Sequence, residues 1–274
     1  MNCSFKKQWF YGSSLFFCAL FLMHARGSDH SYYQPKRHVF LVHGTFAKDQ
    51  SWYQRDGDFY DSYLSQIPFG TCIYSFTWSG RCSHAHREKA ARLLAEIICW
   101  YCRPGDTIIL VGHSHGGNVC ILAANELAKC RPAYRIKKLF SLGTPVSYAP
   151  DYTPNMDHID RLYHFFSFGD MVQPVFSLFN RVFKEHPRIW NIGVKIDGVS
   201  PSHSDLRSPA LVHFLKQADR YHLANDKTVL HLKSDGSVTF EYDDTRQELL
   251  FLEKENFSTL FSEALSRKFI IHDH

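Results

Sequence analysis

The residues with the most chemical promise lie in the run 107–120, "TIILVGHSHGGNVC". β-branched and apolar residues lead into Gly112-His113-Ser114-His115-Gly116, and a helical apolar stripe follows. A serine between two glycines at such a junction sits in a sharp, strained turn with its hydroxyl presented above the sheet edge. The free N–H groups of the following helix can stabilise an oxyanion beside it. The pattern points to nucleophilic catalysis by Ser114.

A nucleophilic serine needs a base and an oriented acid. His113 and His115 leave the same turn in other directions, and neither need face the hydroxyl. On strand–turn–helix elbows of this kind the acid and then the histidine follow later in the chain. Asp170 follows the apolar run "RLYHFFSFG", and His203 lies in "VSPSHSDLRSP" after "IWNIGVKIDG". They are assigned as acid and base. Asp157 and Asp160 precede the strand, Asp197 sits near the end of the last one, and His213 falls within a helical pattern. His186 is the remaining competitor for the base. For the oxyanion hole, one donor is the backbone N–H of His115. The other is Thr45 in "HVFLVHGTFA", where Gly44 permits a close backbone approach. Phe46 is the alternative donor. Together these residues would form and hydrolyse an acyl-enzyme with no metal and no cofactor.

The elements that must position these groups alternate along the chain. Strands are expected at 38–43, 71–78, 107–111, 137–142, 162–168 and 190–196, and helices at 88–101, 117–129 and 208–219. This alternation predicts an α/β fold with a doubly wound, mostly parallel sheet covered on both faces. From Asn225, "TVLHLKSDGSVTFEY" reads as a hairpin turning at Asp235-Gly236, and an amphipathic helix follows. Three regions result: 1–27 as a signal peptide or signal anchor, 36–223 as the hydrolase body, and 225–274 as a hairpin–helix extension packed on that body. The extension could instead dock on a membrane surface or a partner.

Composition narrows the functional classes. The net charge of +4 is spread among acids with no basic block, which argues against a nucleic-acid partner. Lys6 and Lys7 precede the uncharged apolar run 9–23, and polar residues return from His24. That layout predicts export or membrane association. The run is short for a bilayer span, which needs ~20 apolar residues. Six cysteines remain beyond it: Cys72, Cys82, Cys99, Cys102, Cys120 and Cys130. The C-x-x-C at 99–102 closes a helix, so it lacks the helix N-terminus that activates a redox pair. No second pair at ligand spacing accompanies it.

The blocks "VFLVHGTFA", "FTWSG", "VGHSHGGNV", "SLGTPV" and "GDMVQP" together resemble lipase- and esterase-like serine hydrolases of the α/β-hydrolase superfamily. The resemblance spans residues 39–215 and implies a doubly wound sheet and hydrolysis of a carboxylic ester. The histidines at both variable positions of G-x-S-x-G and the C-terminal extension depart from it. Phe176, Phe179 and Phe183 recur at helical spacing between Asp170 and His203. They could line an acyl pocket with Phe46 and with Trp78 at its rim, although such a stripe is more often a packed helix. A lipid-like ester is the expected substrate. Acyl transfer, amide or thioester hydrolysis, and an idle binding module are the alternatives.

Overall fold

Eight strands form one sheet in the order β2-β1-β3-β4-β5-β6-β7-β8 in the computed structural model, which describes residues 33–177, 180–218, 228–233 and 238–242. The strands are β1 (Arg37–Val42), β2 (Thr71–Phe76), β3 (Thr107–His113), β4 (Ile136–Leu142), β5 (Leu162–Phe166), β6 (Ile189–Ile196), β7 (Thr228–Leu232) and β8 (Val238–Tyr242). The first seven run parallel, and β8 returns antiparallel to β7. Because β7 pairs with β6, the expected hairpin extends the central sheet. The amphipathic pattern beyond it and residues 1–27 lie outside the described residues.

The parallel strands are buried on both faces, so they read as continuous apolar runs. In β1, Phe40 and Val42 face a core shared with α2 (His84–Tyr101) and α3 (His115–Cys130). Val39 and Leu41 face the opposite core, shared with α1 (Asp58–Gln66) and α5 (Pro209–Gln217). The strand period of two delivers alternate side chains to the two layers.

The helix boundaries differ from the sequence expectation for local reasons. α2 starts four residues before Glu88, because the Ser83 hydroxyl accepts the His86 N–H at 3.3 Å and caps it. α3 begins at His115, directly after the serine, with no connecting loop. The helical stripe expected through Phe183 stops early: α4 covers Val172–Phe176 only. Phe183 is instead a core residue, and Asn191 brackets its backbone by accepting its N–H at 2.9 Å and donating to its carbonyl at 3.0 Å. The C-x-x-C closes α2 with Cys102 as its C-cap. The six cysteines are free thiols, and burial pushes the Cys102 thiol up to about 12. Among the described residues, no helix is long and apolar enough to cross a membrane.

Candidate active site

β3 delivers Ser114 to the end of the sheet where the parallel strands terminate. Ser114 has φ +55 and ψ −135, a left-handed conformation that costs a non-glycine residue energy. The turn is held by Ser114 N–H donating to the Leu142 carbonyl at 2.8 Å and Gly117 N–H donating to the Ser114 carbonyl at 3.0 Å. A Cβ at Gly116 would lie 2.3 Å from the Val42 carbonyl oxygen, so the helix can lie against the end of β1 only with glycine there. A Cβ at Gly44 would lie 2.7 Å from Ser114 Cβ. That glycine brings the loop after β1 up to Ser114.

Asp170 and His203 meet. His203 Nδ1–H donates to Asp170 Oδ2 at 2.7 Å. The Asp170 side chain is fully buried, and its Oδ1 accepts the Val172 and Gln173 N–H groups at 2.9 Å each. With Nδ1 holding its proton toward the carboxylate, Nε2 carries the lone pair a general base uses. The competing groups are engaged elsewhere. Asp160 pairs with Arg135 and Lys137 at the surface. His186 Nδ1 accepts the Arg188 N–H, and His213 is exposed on α5 beside Gln66. Among the described residues, no hydrogen bond joins Ser114 Oγ to His203. Such bonds often tighten only when substrate is bound.

The loop after β1 approaches Ser114 as the expected oxyanion loop would. The Thr45 and His115 N–H groups have no partner among the described backbone hydrogen bonds outside the regular elements. Phe46, the alternative donor, is excluded from that role because its N–H donates to the Gly80 carbonyl at 2.9 Å. Its side chain is 81% exposed. Trp78, expected at the pocket rim, is buried, 5% exposed. Its indole Nε1–H donates to the His43 carbonyl at 2.7 Å, and its backbone N–H donates to His43 Nε2 at 3.1 Å. His43 Nδ1–H therefore donates to the Gly44 carbonyl at 2.8 Å. Burial pushes the His43 pKa down and favours this neutral form. The "FTWSG" segment thus braces the loop from below.

Phe176 is half-exposed, and its ring stands edge-on to His115 at 5.2 Å. Met171, Val172 and Val175 are exposed beside it, so α4 presents apolar surface at the site. Phe179 lies outside the described residues. A cleft of about 870 Å³ opens beside the loop that carries His203, between segments 49–59 and 196–209. Trp52, Ser204 and Arg207 line it, and Ser114 does not.

Two positioning groups escaped the sequence reading. Arg181, buried, donates from Nη1 to the Ser167 and Asp170 carbonyls at 2.7 and 2.9 Å. Gln173 Nε2 donates to the Thr144 and Arg181 carbonyls. Together they hold the backbone that carries Asp170. The available signal was a lone cation inside the aromatic stretch "FSLFNRVF".

The Alpha/beta hydrolase family model matches residues 39–259, and the chain belongs to that family. Among solved structures, it is similar to a pyrethroid hydrolase from Sphingobium faniae at 12% identity, covering 68% of this chain and 96% of that one, with a TM-score of 0.44. It is also similar to alpha/beta hydrolase domain-containing protein 10 from mouse at 15% identity, covering 67% and 88%, with a TM-score of 0.42. A cutinase-like protein from Cryptococcus sp. is similar at 17% identity over 66% and 91%, with a TM-score of 0.39. No curated protein matches the chain.

Proposed function

We propose that this hydrolase cleaves carboxylic esters of lipid-like substrates, with Ser114 as nucleophile, His203 as base and Asp170 as the orienting acid. The observation that carries the reading is the 2.7 Å Asp170–His203 hydrogen bond at the sheet end that also holds the strained Ser114 turn. The ester carbonyl enters between Ser114 and the N–H groups of Thr45 and His115. Ser114 Oγ attacks as His203 Nε2 takes its proton, and the two N–H groups hold the oxyanion. His203 then protonates the leaving alcohol. Water, deprotonated by the same nitrogen, releases the acid.

The lipid-like substrate is supported by exposed apolar side chains on the segments that carry the site: Phe46 next to Thr45, and Met171, Val175 and Phe176 after Asp170, with the Phe176 ring against His115. Clustered apolar surface at a site marks an apolar ligand. The basic start and apolar run of residues 1–28 favour work at or beyond a membrane. A fluorophosphonate label on the full chain, compared with Ser114→Ala, tests the nucleophile. An ester series from acetyl to long-chain acyl tests the substrate class. Labelling of both forms would sink the triad, and best turnover on acetyl esters would sink the lipid reading. Equal recovery of the full chain and of one starting at Ser28 in the soluble cell fraction would remove the membrane claim.

A further inference from the structure

We infer that the two histidines flanking the nucleophile are positioning latches, each tying the Ser114 turn to one of the two loops that serve it. The inference rests on the triad proposed above. His113 Nε2–H donates to the main-chain carbonyl of His203 at 2.8 Å, and the two rings lie 4.7 Å apart. The Trp52 ring packs edge-to-face with the His113 ring at 5.8 Å. His115 Nδ1 is hydrogen-bonded to Thr45 Oγ1 at 2.8 Å, with Phe176 against its ring. One turn therefore grips the base loop on one side and the oxyanion loop on the other.

Packing alone does not account for these residues. Both rings are buried, and His113 Nδ1 has no partner among the described residues. Burying an unpaired polar atom is unfavourable, and a leucine or phenylalanine would avoid it. Imidazole at 113 instead supplies a donor that reaches a carbonyl 90 residues away, and imidazole at 115 reaches a hydroxyl 70 residues away. Burial, the largest cause, pushes both pKa values down, to about 3 for His115. The rings stay neutral while His203 works, so neither adds a positive charge that would oppose the imidazolium forming there. Asp170, His113 and His115 act on His203, while the Arg207 charge acts on His113 and the Arg87 charge on His115.

Side chains of matched reach provide the test in the full chain. Glutamine at 113 places an amide N–H where Nε2–H was, and asparagine at 115 matches Nδ1. His113→Leu should lower kcat about tenfold with KM little changed and shift the acidic limb of the kcat/KM profile. His113→Gln should restore both. His115→Leu and Thr45→Val should each lower kcat about tenfold and weaken a boronic-acid inhibitor, leaving the acidic limb in place. Their double variant should be no worse than either single, and His115→Asn should recover. A folded His113→Leu with wild-type kcat and acidic limb overturns the first latch. So does His113→Gln behaving no better than Leu. Additive losses at Thr45 and His115 overturn the second. If a leucine variant does not fold, the glutamine and asparagine variants and Thr45→Val still decide, because a latch requires the first two active and the third impaired. Hydrolysis that survives Ser114→Ala is a separate result, and it overturns the triad assignment and the latches with it.

Discussion

Asp170 divides its carboxylate between two tasks: Oδ2 accepts from His203 Nδ1 at 2.7 Å, and Oδ1 accepts from the first N–H groups of α4. The carboxylate that holds the His203 ring is thereby fixed by the first turn of α4. Arg181 holds the carbonyl of the same residue.

Asp170→Asn separates the two tasks. The amide oxygen can still accept the Val172 and Gln173 N–H groups, so the fold should survive. The amide nitrogen then faces Nδ1 and favours the wrong imidazole tautomer. Turnover should fall on the order of 10⁴-fold, with the melting transition close to wild type. A loss below about tenfold in a folded variant would remove Asp170 from the catalytic chain.

Gly44 and Gly116 are both closely approached, but by different atoms. A methyl at Gly116 meets the backbone oxygen of Val42 at 2.3 Å, and that strand end is fixed in the sheet. Gly116→Ala should cost at least the ~1–3 kcal/mol of an overpacked core and reduce soluble yield. A methyl at Gly44 meets Ser114 Cβ at 2.7 Å and the His113 carbonyl oxygen at 3.0 Å, both less close than the Val42 oxygen at Gly116. Gly44→Ala should cost less stability and more turnover. Urea midpoints beside kcat for the two variants check the order, and a reversed order would contradict the packing described.

Much of this site was legible because its chemistry is local. The β3–Ser114–α3 elbow is written in fourteen consecutive residues, "TIILVGHSHGGNVC". Position after strands and chain order single out Asp170 and His203, which the fold brings into hydrogen-bond contact. What braces them was not legible. The Trp78–His43 contact, the Arg181 clasp and the two flanking-histidine contacts join residues far apart in sequence, and periodicity carries no information about such pairs. The burial of Trp78 is of that kind, since its indole serves a carbonyl 35 residues away. α4 ended early for another: the aromatic spacing fitted a helix, but Phe183 is claimed by the core and by Asn191. Tertiary contacts override local propensity in such stretches.

Acid should destabilise the fold in a defined window. His115 has its pKa pushed from the usual 6.5 to about 3, chiefly by burial. The folded form binds no proton there until near pH 3, whereas the unfolded chain binds one below 6.5. Stability from the buried neutral ring is therefore present above 6.5 and is lost as pH falls toward 3. The slope is at most about 1.4 kcal/mol per pH unit for this group. His113 is shifted in the same direction and adds to it. Urea midpoints between pH 7 and pH 4 should fall less steeply for His115→Asn than for wild type. Equal slopes would mean that His115 titrates as it does in the unfolded chain.

Phe46 and Phe176 should set acyl-chain preference. Phe46 holds a left-handed backbone at φ +57, a conformation costing on the order of 1 kcal/mol for a residue with a side chain. Its N–H is anchored to Gly80, and its ring is left in solvent. Phe176 is 47% exposed while its ring stands edge-on to His115, one residue from Ser114. Each additional buried methylene of an acyl chain contributes about 0.8 kcal/mol, so a few methylenes against these rings are worth an order of magnitude or more in kcat/KM. Phe46→Ser and Phe176→Ser should each lower kcat/KM for octanoyl and longer esters about tenfold, with a much smaller loss on acetyl esters. Phe176→Leu, which keeps apolar area, should lie between. Losses of equal size across the whole chain-length series would mean that the rings support the site without touching the acyl chain.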